Sequence, residues 1–172
     1  MPPVLVAVEG NIGAGKTTVL KDLESRGHKV FYENLESWQP LLDLFYSDPV
    51  RWSFTLQMAI LQDMHVSRLK ARVLEDEKVV FFERSPQSSM IFTVLSHTRK
   101  YMTDVEFETY RGLFGCLGWK PDITVLIDTP APTCLARIEA RSRNGEEAIN
   151  LQYLDDIDKH HRDRDLLPVI HM

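Results

Sequence analysis

Near the start of the chain, Gly10-Asn11-Ile12-Gly13-Ala14-Gly15-Lys16-Thr17, followed by Thr18, satisfies the pattern GxxxxGK[ST]. Glycines at these spacings let backbone N–H groups converge on phosphate oxygens, and a helix starting there adds partial positive charge. Lys16 can reach the outer phosphates, and the Thr17 hydroxyl suits Mg²⁺. A turn that merely joined a strand to a helix would need neither residue, so the run reads as a nucleotide-phosphate site. Two further stretches carry acid chemistry. Phe31-Tyr32-Glu33 ends an apolar run in a carboxylate, which can accept a proton from a hydroxyl. Phe82-Glu83-Arg84-Ser85 sets a carboxylate beside an arginine, a pair able to orient Mg²⁺ with its waters and to neutralise phosphate charge. On position alone, a solvated glutamate and a surface ion pair remain equally open. Gln57 offers one donor and one acceptor together, as a pyrimidine edge requires, although an exposed helical glutamine is the plainer alternative.

These residues need elements that bring them to one place. Short apolar runs at Val4 to Val8, Lys29 to Tyr32, Val79 to Phe82 and Ile123 to Ile127 read as strands covered on both faces, and Pro168 to His171 can begin another. Between them, Lys16 to Arg26 reads as a helix closed by Gly27. A long helix is expected from Asp48 to Glu77, with Pro49 in its first turn and Leu56, Ile60, Met64, Leu69 and Val73 at helical spacing. Further helices fit Pro86 to Leu95, Asp104 to Leu117, Pro130 to Glu139 and Leu151 to Arg162. Alternating strands and helices predict an α/β fold, a doubly wound parallel sheet with helices on both faces and its site at the carboxyl ends of the strands. Glu33 then faces the same crevice as the glycine loop.

At 172 residues the chain is expected to form a single domain, 1–172. A net charge of −5 gives no general attraction to nucleic acid or to an anionic membrane, so an anionic ligand needs a local site. No run approaches the length needed to span a bilayer, and no basic leader precedes the first apolar stretch, which points to the cytoplasm or the nucleus. Cys116 and Cys134 lack metal or redox spacing and read as buried small hydrophobes in a reducing compartment. The guanine signature NKxD is absent, which argues against a GTPase switch. A small-molecule kinase needs only a donor site, an acceptor pocket and a lid that excludes water.

Five segments in order, GNIGAGKTT, ENLESW, LLDLFYSDPVRWSFTLQM, FFERS and RIEARSR, resemble the deoxynucleoside kinase family of P-loop kinases, most closely its thymidine kinase 2-like and insect members. The resemblance runs from about Val4 to about Arg162. It implies that Glu33 is the base on the nucleoside 5′-hydroxyl, that Arg84 holds that region, and that Glu83 is the magnesium-associated acid. Gln57 looks like the base-reading residue, with Trp38, Tyr46, Ile60 and Met64 as candidate walls of ring and sugar. Members favouring deoxycytidine and purines carry Arg where this chain has Met64 and Asp where it has Ser89, so the resemblance implies thymidine acceptance. It also implies an Arg-rich lid over about residues 141–149, in which Arg137, Arg141 and Arg143 close on the phosphates and Glu147 meets the sugar 3′-hydroxyl. Around Asn144-Gly145 the chain carries an extra residue relative to that lid, and Pro86-Gln87 stands where relatives have an apolar or aromatic pair.

The expected activity is Mg²⁺-dependent transfer from ATP to thymidine or a related pyrimidine deoxynucleoside, in a homodimer as the family suggests. Thymidylate kinase is the nearest alternative, and a non-catalytic nucleotide sensor is one from another class.

Overall fold

The computed structural model describes residues 1–143 and 145–163, with the backbone of Ile170 and His171. Apolar β-branched runs form four of its strands: β1 (Val4–Gly10), β2 (Lys29–Phe31), β3 (Val79–Glu83) and β4 (Ile123–Ile127). A short β5 (Ile170–His171) completes the sheet, while Pro168 and Val169 of the expected final run lie outside the described residues. All pairings are parallel, in the order β2-β3-β1-β4-β5.

The register determines where the chemistry sits. Val8 lies opposite Glu83, Gly10 opposite Ile127 and Phe31 opposite Phe82, so Gly10, Glu83 and Glu33 all leave the sheet at its carboxyl edge. β1 has β3 on one side and β4 on the other, which makes the end of β1 a topological switch point, where such sheets open a crevice.

Seven helices flank the described strands: α1 (Lys16–Ser25), α2 (Leu35–Ser47), α3 (Pro49–Arg72), α4 (Pro86–Thr98), α5 (Asp104–Leu117), α6 (Ala131–Arg141) and α7 (Leu151–Arg162). Apolar clusters close on opposite faces of the sheet. Leu5, Val80 and Phe82 pack with Ala71 of α3 and with Trp119, while Val8 and Val30 pack on Leu20 of α1. A third cluster joins Ala14, Ile91 and Leu95 to Cys134, Ile138, Leu154 and Ile157, tying α4, α6 and α7 to the loop after β1.

The fold corrects several sequence expectations. Leu35–Ser47, left without an element by the sequence reading, is a helix despite Pro40 within it. Pro40 is the sixth residue of the helix, so its ring removes the N–H that would reach the Glu36 carbonyl, and the helix is held through that loss by its packing on α3 with Trp38 buried. The long helix ends at Arg72, short of Glu77. Lys70 and Arg72 favour a C-terminus there, whereas the acids Glu75, Asp76 and Glu77 would oppose the helix dipole. Leu69 and Val73 are accordingly 49% and 75% exposed, and the buried stripe runs instead through Leu56, Gln57, Leu61, Met64 and Ala71. Cys134 is buried as expected, but Cys116 is exposed. Among the described residues, no helix is long and apolar enough to cross a membrane.

Candidate functional site

The loop from Gly10 to Gly15 turns from β1 into α1. At Gly13 φ is +78° and a Cβ would stand 2.7 Å from the Cys134 carbonyl oxygen, so only glycine lets the loop lie this close to α6. Lys16 is buried and donates through Nζ to the carbonyls of Asn11 at 2.8 Å and Gly10 at 3.2 Å. Burial, together with the nearby Arg84, brings its pKa down to about 8. Asn11 is held inside, its side chain donating to the Leu154 carbonyl and accepting from the Ile12 N–H. Gly10, Asn11 and Ala14 therefore serve the loop through backbone and packing, whereas Ile12, Gly13, Gly15, Lys16, Thr17 and Thr18 face the cavity.

That cavity, of about 350 Å³, runs from the loop along α2 and α3 to the lid. Its acidic wall is assembled by the sheet edge. Thr17 Oγ1 donates to Glu83 Oε1 at 2.5 Å, and Glu83 Oε2 accepts the Glu33 backbone N–H at 3.4 Å. Arg84, buried and with φ +68°, pairs through Nε with Glu33 Oε1 at 3.1 Å and lies over the Phe92 ring, 5.1 Å from its centroid. Its Nη1 has no hydrogen-bond partner among the described residues, which leaves a buried charged donor beside the cavity. Burial pushes the Glu33 carboxyl above its ordinary value of 4.5, with Arg84 and Lys16 acting against that rise and Glu83 and Glu9 adding to it. The result is a carboxylate with enhanced proton affinity next to an immobilised guanidinium.

The far wall is less polar. Trp38, Tyr46, Gln57, Ile60, Met64 and Ser89 all line the cavity, joined by Phe92 and Tyr153. Gln57 is buried, and its Oε1 accepts from Ser89 Oγ at 3.2 Å. Burial raises the Tyr46 hydroxyl to a pKa of about 12, with Glu146 adding to the shift, so it stays protonated at neutral pH.

The lid closes this space from above. Arg137 and Arg141 stand one turn apart on α6, and with Arg143 they line the cavity. Arg137 donates to the carbonyls of Gly13 at 3.3 Å and Ala14 at 3.1 Å. Arg141 forms a two-pronged pair with Glu146, at 2.8 and 2.6 Å, which Arg143 approaches at 3.5 Å. The lid acid is thus Glu146, 7% exposed and lining the cavity, while Glu147 is exposed and outside it. Asn144, where the sequence carries an extra residue relative to the resembled lid, lies outside the described residues. Gly145 anchors the turn against the pocket, since a Cβ there would stand within 3 Å of the Tyr46 ring.

Glu9, one residue before the loop, was missed by the sequence reading although a lone carboxylate inside an apolar strand was its signal. It is fully buried and accepts from the N–H and Oγ of Ser85, at 2.8 and 2.6 Å, and from Ser88 Oγ. Burial pushes its carboxyl up, but His161, Arg84 and Ser85 together outweigh that and leave it below 4.5. Glu9 fixes the turn after Glu83-Arg84 and so the direction of both side chains.

A parallel sheet with a lysine-bearing glycine loop at its switch point, an acid pair beside it and an arginine lid above it define a P-loop phosphotransferase. The deoxynucleoside kinase family model matches residues 6–165, and this chain belongs to that family. It is 31% identical over 160 residues to a deoxyguanosine kinase of Dictyostelium discoideum, covering 90% of this chain and 56% of the relative. It is 30% identical over 159 residues to a deoxyguanosine kinase of Bacillus subtilis (strain 168), covering 88% of this chain and 73% of the relative. Its fold matches that of a deoxyadenosine kinase from M. mycoides, solved with dCMP and a flexible dCDP bound, with a TM-score of 0.85 at 22% identity over 98% of this chain and 90% of that one. The protein is therefore a deoxynucleoside kinase, and it takes a nucleotide as phosphate donor.

Proposed function

We propose that this kinase transfers the γ-phosphate of ATP to the 5′-hydroxyl of thymidine or a related pyrimidine deoxynucleoside, with Mg²⁺. The observation that carries the choice of base is Gln57, a buried carboxamide lining the cavity beside the uncharged Ser89 and Met64. Such a wall offers a paired donor and acceptor and no fixed charge, which suits the N3 and 4-position edge of a pyrimidine. The relatives described above are named for purine nucleosides and others for deoxycytidine, so the acceptor is the property to measure. Purified protein incubated with ATP, Mg²⁺ and each deoxynucleoside in turn should phosphorylate thymidine or deoxycytidine with the highest kcat/KM; a clear preference for deoxyguanosine or deoxyadenosine would overturn the pyrimidine reading.

In this reading Glu33 takes the 5′-hydroxyl proton, Arg84 holds Glu33 and offers its unpaired Nη1 to developing phosphate charge, and Lys16 and the loop amides bind the donor phosphates. Thr17 and Glu83 present hard oxygen donors in direct contact, so they fit Mg²⁺ and would hold it, where it supplies charge neutralisation and orientation of the phosphates. The lid arginines exchange Glu146 for phosphate oxygens, and the freed Glu146 faces the sugar. The family resemblance further supports a homodimer, which sedimentation of the purified chain checks.

Two expected results follow from the pocket. Gln57→Ala should weaken pyrimidine nucleosides by about five- to a hundredfold in KM while leaving the KM for ATP alone, because a buried base edge without its partner loses ~1–3 kcal/mol. Equal weakening of nucleoside and ATP would mark Gln57 as structural.

Thymidine should also be preferred over thymidylate by a wide margin. An acceptor already bearing a phosphate would bring it toward Glu33, and the cations nearby are taken up, Arg84 Nε by Glu33 and Lys16, the lid arginines and Arg84 Nη1 by the donor phosphates. Glu36, which follows Glu33 closely in sequence, is exposed and outside the cavity, so the repulsion comes from Glu33 itself. If kcat/KM for thymidylate equalled that for thymidine, the monophosphate kinase alternative would take over.

A further inference from the structure

Behind Gln57, on the side away from solvent, stands a chain of hydroxyls that the reaction itself does not use. Ser89 Oγ, 1% exposed, lies 3.2 Å from Gln57 Oε1 and 2.7 Å from the Tyr110 hydroxyl, which is itself fully buried and outside the cavity. Tyr110 comes from α5 and Ser89 from α4, so the contact joins two helices behind the pocket wall. Thr93, one turn after Ser89 and also fully buried, donates its own proton to the Ser89 carbonyl at 2.9 Å, which leaves its oxygen free to accept. Thr93 shares the face of α4 that carries Ser89, and hydrogen bonding to both residues acts against the rise that burial gives the Tyr110 pKa.

A carboxamide can turn its oxygen or its nitrogen toward Ser89, and the two orientations make opposite demands on whatever lies behind it. With Oε1 toward Ser89, the serine donates to Gln57 and accepts from the Tyr110 hydroxyl. With Nε2 toward Ser89, the serine accepts from Gln57, donates to Tyr110, and Tyr110 donates on to Thr93. Every proton has an acceptor in both directions, since hydroxyls donate and accept alike. Thymine presents a donor at N3 and an acceptor at its 4-position, and cytosine presents the reverse, so the two bases require opposite orientations of Gln57.

Resting on the pyrimidine reading of the pocket, we propose that Ser89, Tyr110 and Thr93 form a reversible hydroxyl relay that lets Gln57 present either orientation, so that one pocket accepts both thymidine and deoxycytidine. Tyr110 and Thr93 are positioning residues for specificity, since neither lines the cavity.

The test is a set of kcat/KM values for thymidine and deoxycytidine in the wild type, Tyr110→Phe and Thr93→Val. Either variant removes an acceptor needed in one direction only: without it, the orientation in which Ser89 accepts from Gln57 leaves a buried hydroxyl proton unmatched, while the opposite orientation remains satisfied. One pyrimidine should therefore lose about tenfold or more relative to the other, and the same one in both variants. Thr93→Val retains the phenol and Tyr110→Phe retains the ring, so a folding defect in one leaves the other to decide. Proportional loss of both pyrimidines, opposite preferences in the two variants, or a wild type taking only one of the two would overturn the relay while leaving the pyrimidine reading in place. A wild type that took neither would overturn both.

Discussion

Lys16→Ala should abolish detectable phosphoryl transfer, a loss of at least ~10³ in kcat/KM, while the melting curve stays near that of the wild type. In-line transfer through a loose transition state depends on positioned charge around the phosphates, and removing one preorganised donor from a dry site costs ~10²–10³ on its own. Lys16 also sets the place of the outer phosphates, so its removal is expected to exceed that figure. The fold should tolerate the change, because the folded state holds this ammonium at a cost: burial brings its pKa down to about 8. Its hydrogen-bond partners are the carbonyls of Gly10 and Asn11, and the Asn11 side chain keeps its own anchor on the Leu154 carbonyl when the ammonium is gone. Turnover at the wild-type level would remove the phosphate-site assignment, and loss of folding would show that the loop needs the lysine for its own shape.

Glu33→Gln should lower kcat by ~10² or more, with little change in nucleoside affinity. The amide keeps the length and oxygen of the carboxylate and can still accept from Arg84 Nε, so the guanidinium is not stranded. What it loses is the ability to take a proton. The pH profile provides a second measurement. Because burial raises the Glu33 carboxyl above 4.5, the base is lost as pH falls through a value higher than that of an exposed glutamate, so the acid limb of the wild-type rate should lie above 4.5 and vanish from the residual activity of the variant. A defect confined to KM would make Glu33 a binding group and place the base elsewhere.

The parts of this protein that follow local rules were open to reading from the sequence. The glycine loop, the carboxylates at and just after the strand ends, Glu83 and Glu33, and the helix stops before Gly27 and at Leu117 are each dictated by a few neighbouring residues. What escaped depends on assembly. The helix at Leu35–Ser47 was hidden by Pro40, whose local cost is outweighed by the packing of α2 on α3. Glu146 and Glu147 are adjacent acids that the sequence cannot rank; the lid turn, seated on Tyr46 through Gly145, decides which one faces inward. Tyr110 belongs to an ordinary amphipathic helix, and only the packing of α5 behind α4 brings its hydroxyl to Ser89. Likewise, Leu69 and Val73 keep helical spacing with each other but not with Leu56: at about 3.6 residues per turn Leu69 falls on the side of α3 away from Leu56, and Val73 lies beyond the helix end at Arg72.

The order of the strands in space has a consequence for how the protein is made. β1 is made before the four strands it joins, yet it lies at the centre of the sheet, with Val4 paired to Val79 on one side and Val6 to Ile123 on the other. One neighbour is separated from it by about seventy residues and the other by more than a hundred, so Val4–Gly10 waits as an apolar segment with both edges unpaired until Val79–Glu83 is made and with one edge unpaired until Ile123–Ile127 follows. Contacts this distant in sequence slow the closing of the sheet, because a long loop must be ordered before any pairing rewards it. Nascent chains stalled before Ile123 should therefore recruit chaperones and aggregate, and release past Ile127 is the point at which β1 first gains both partners.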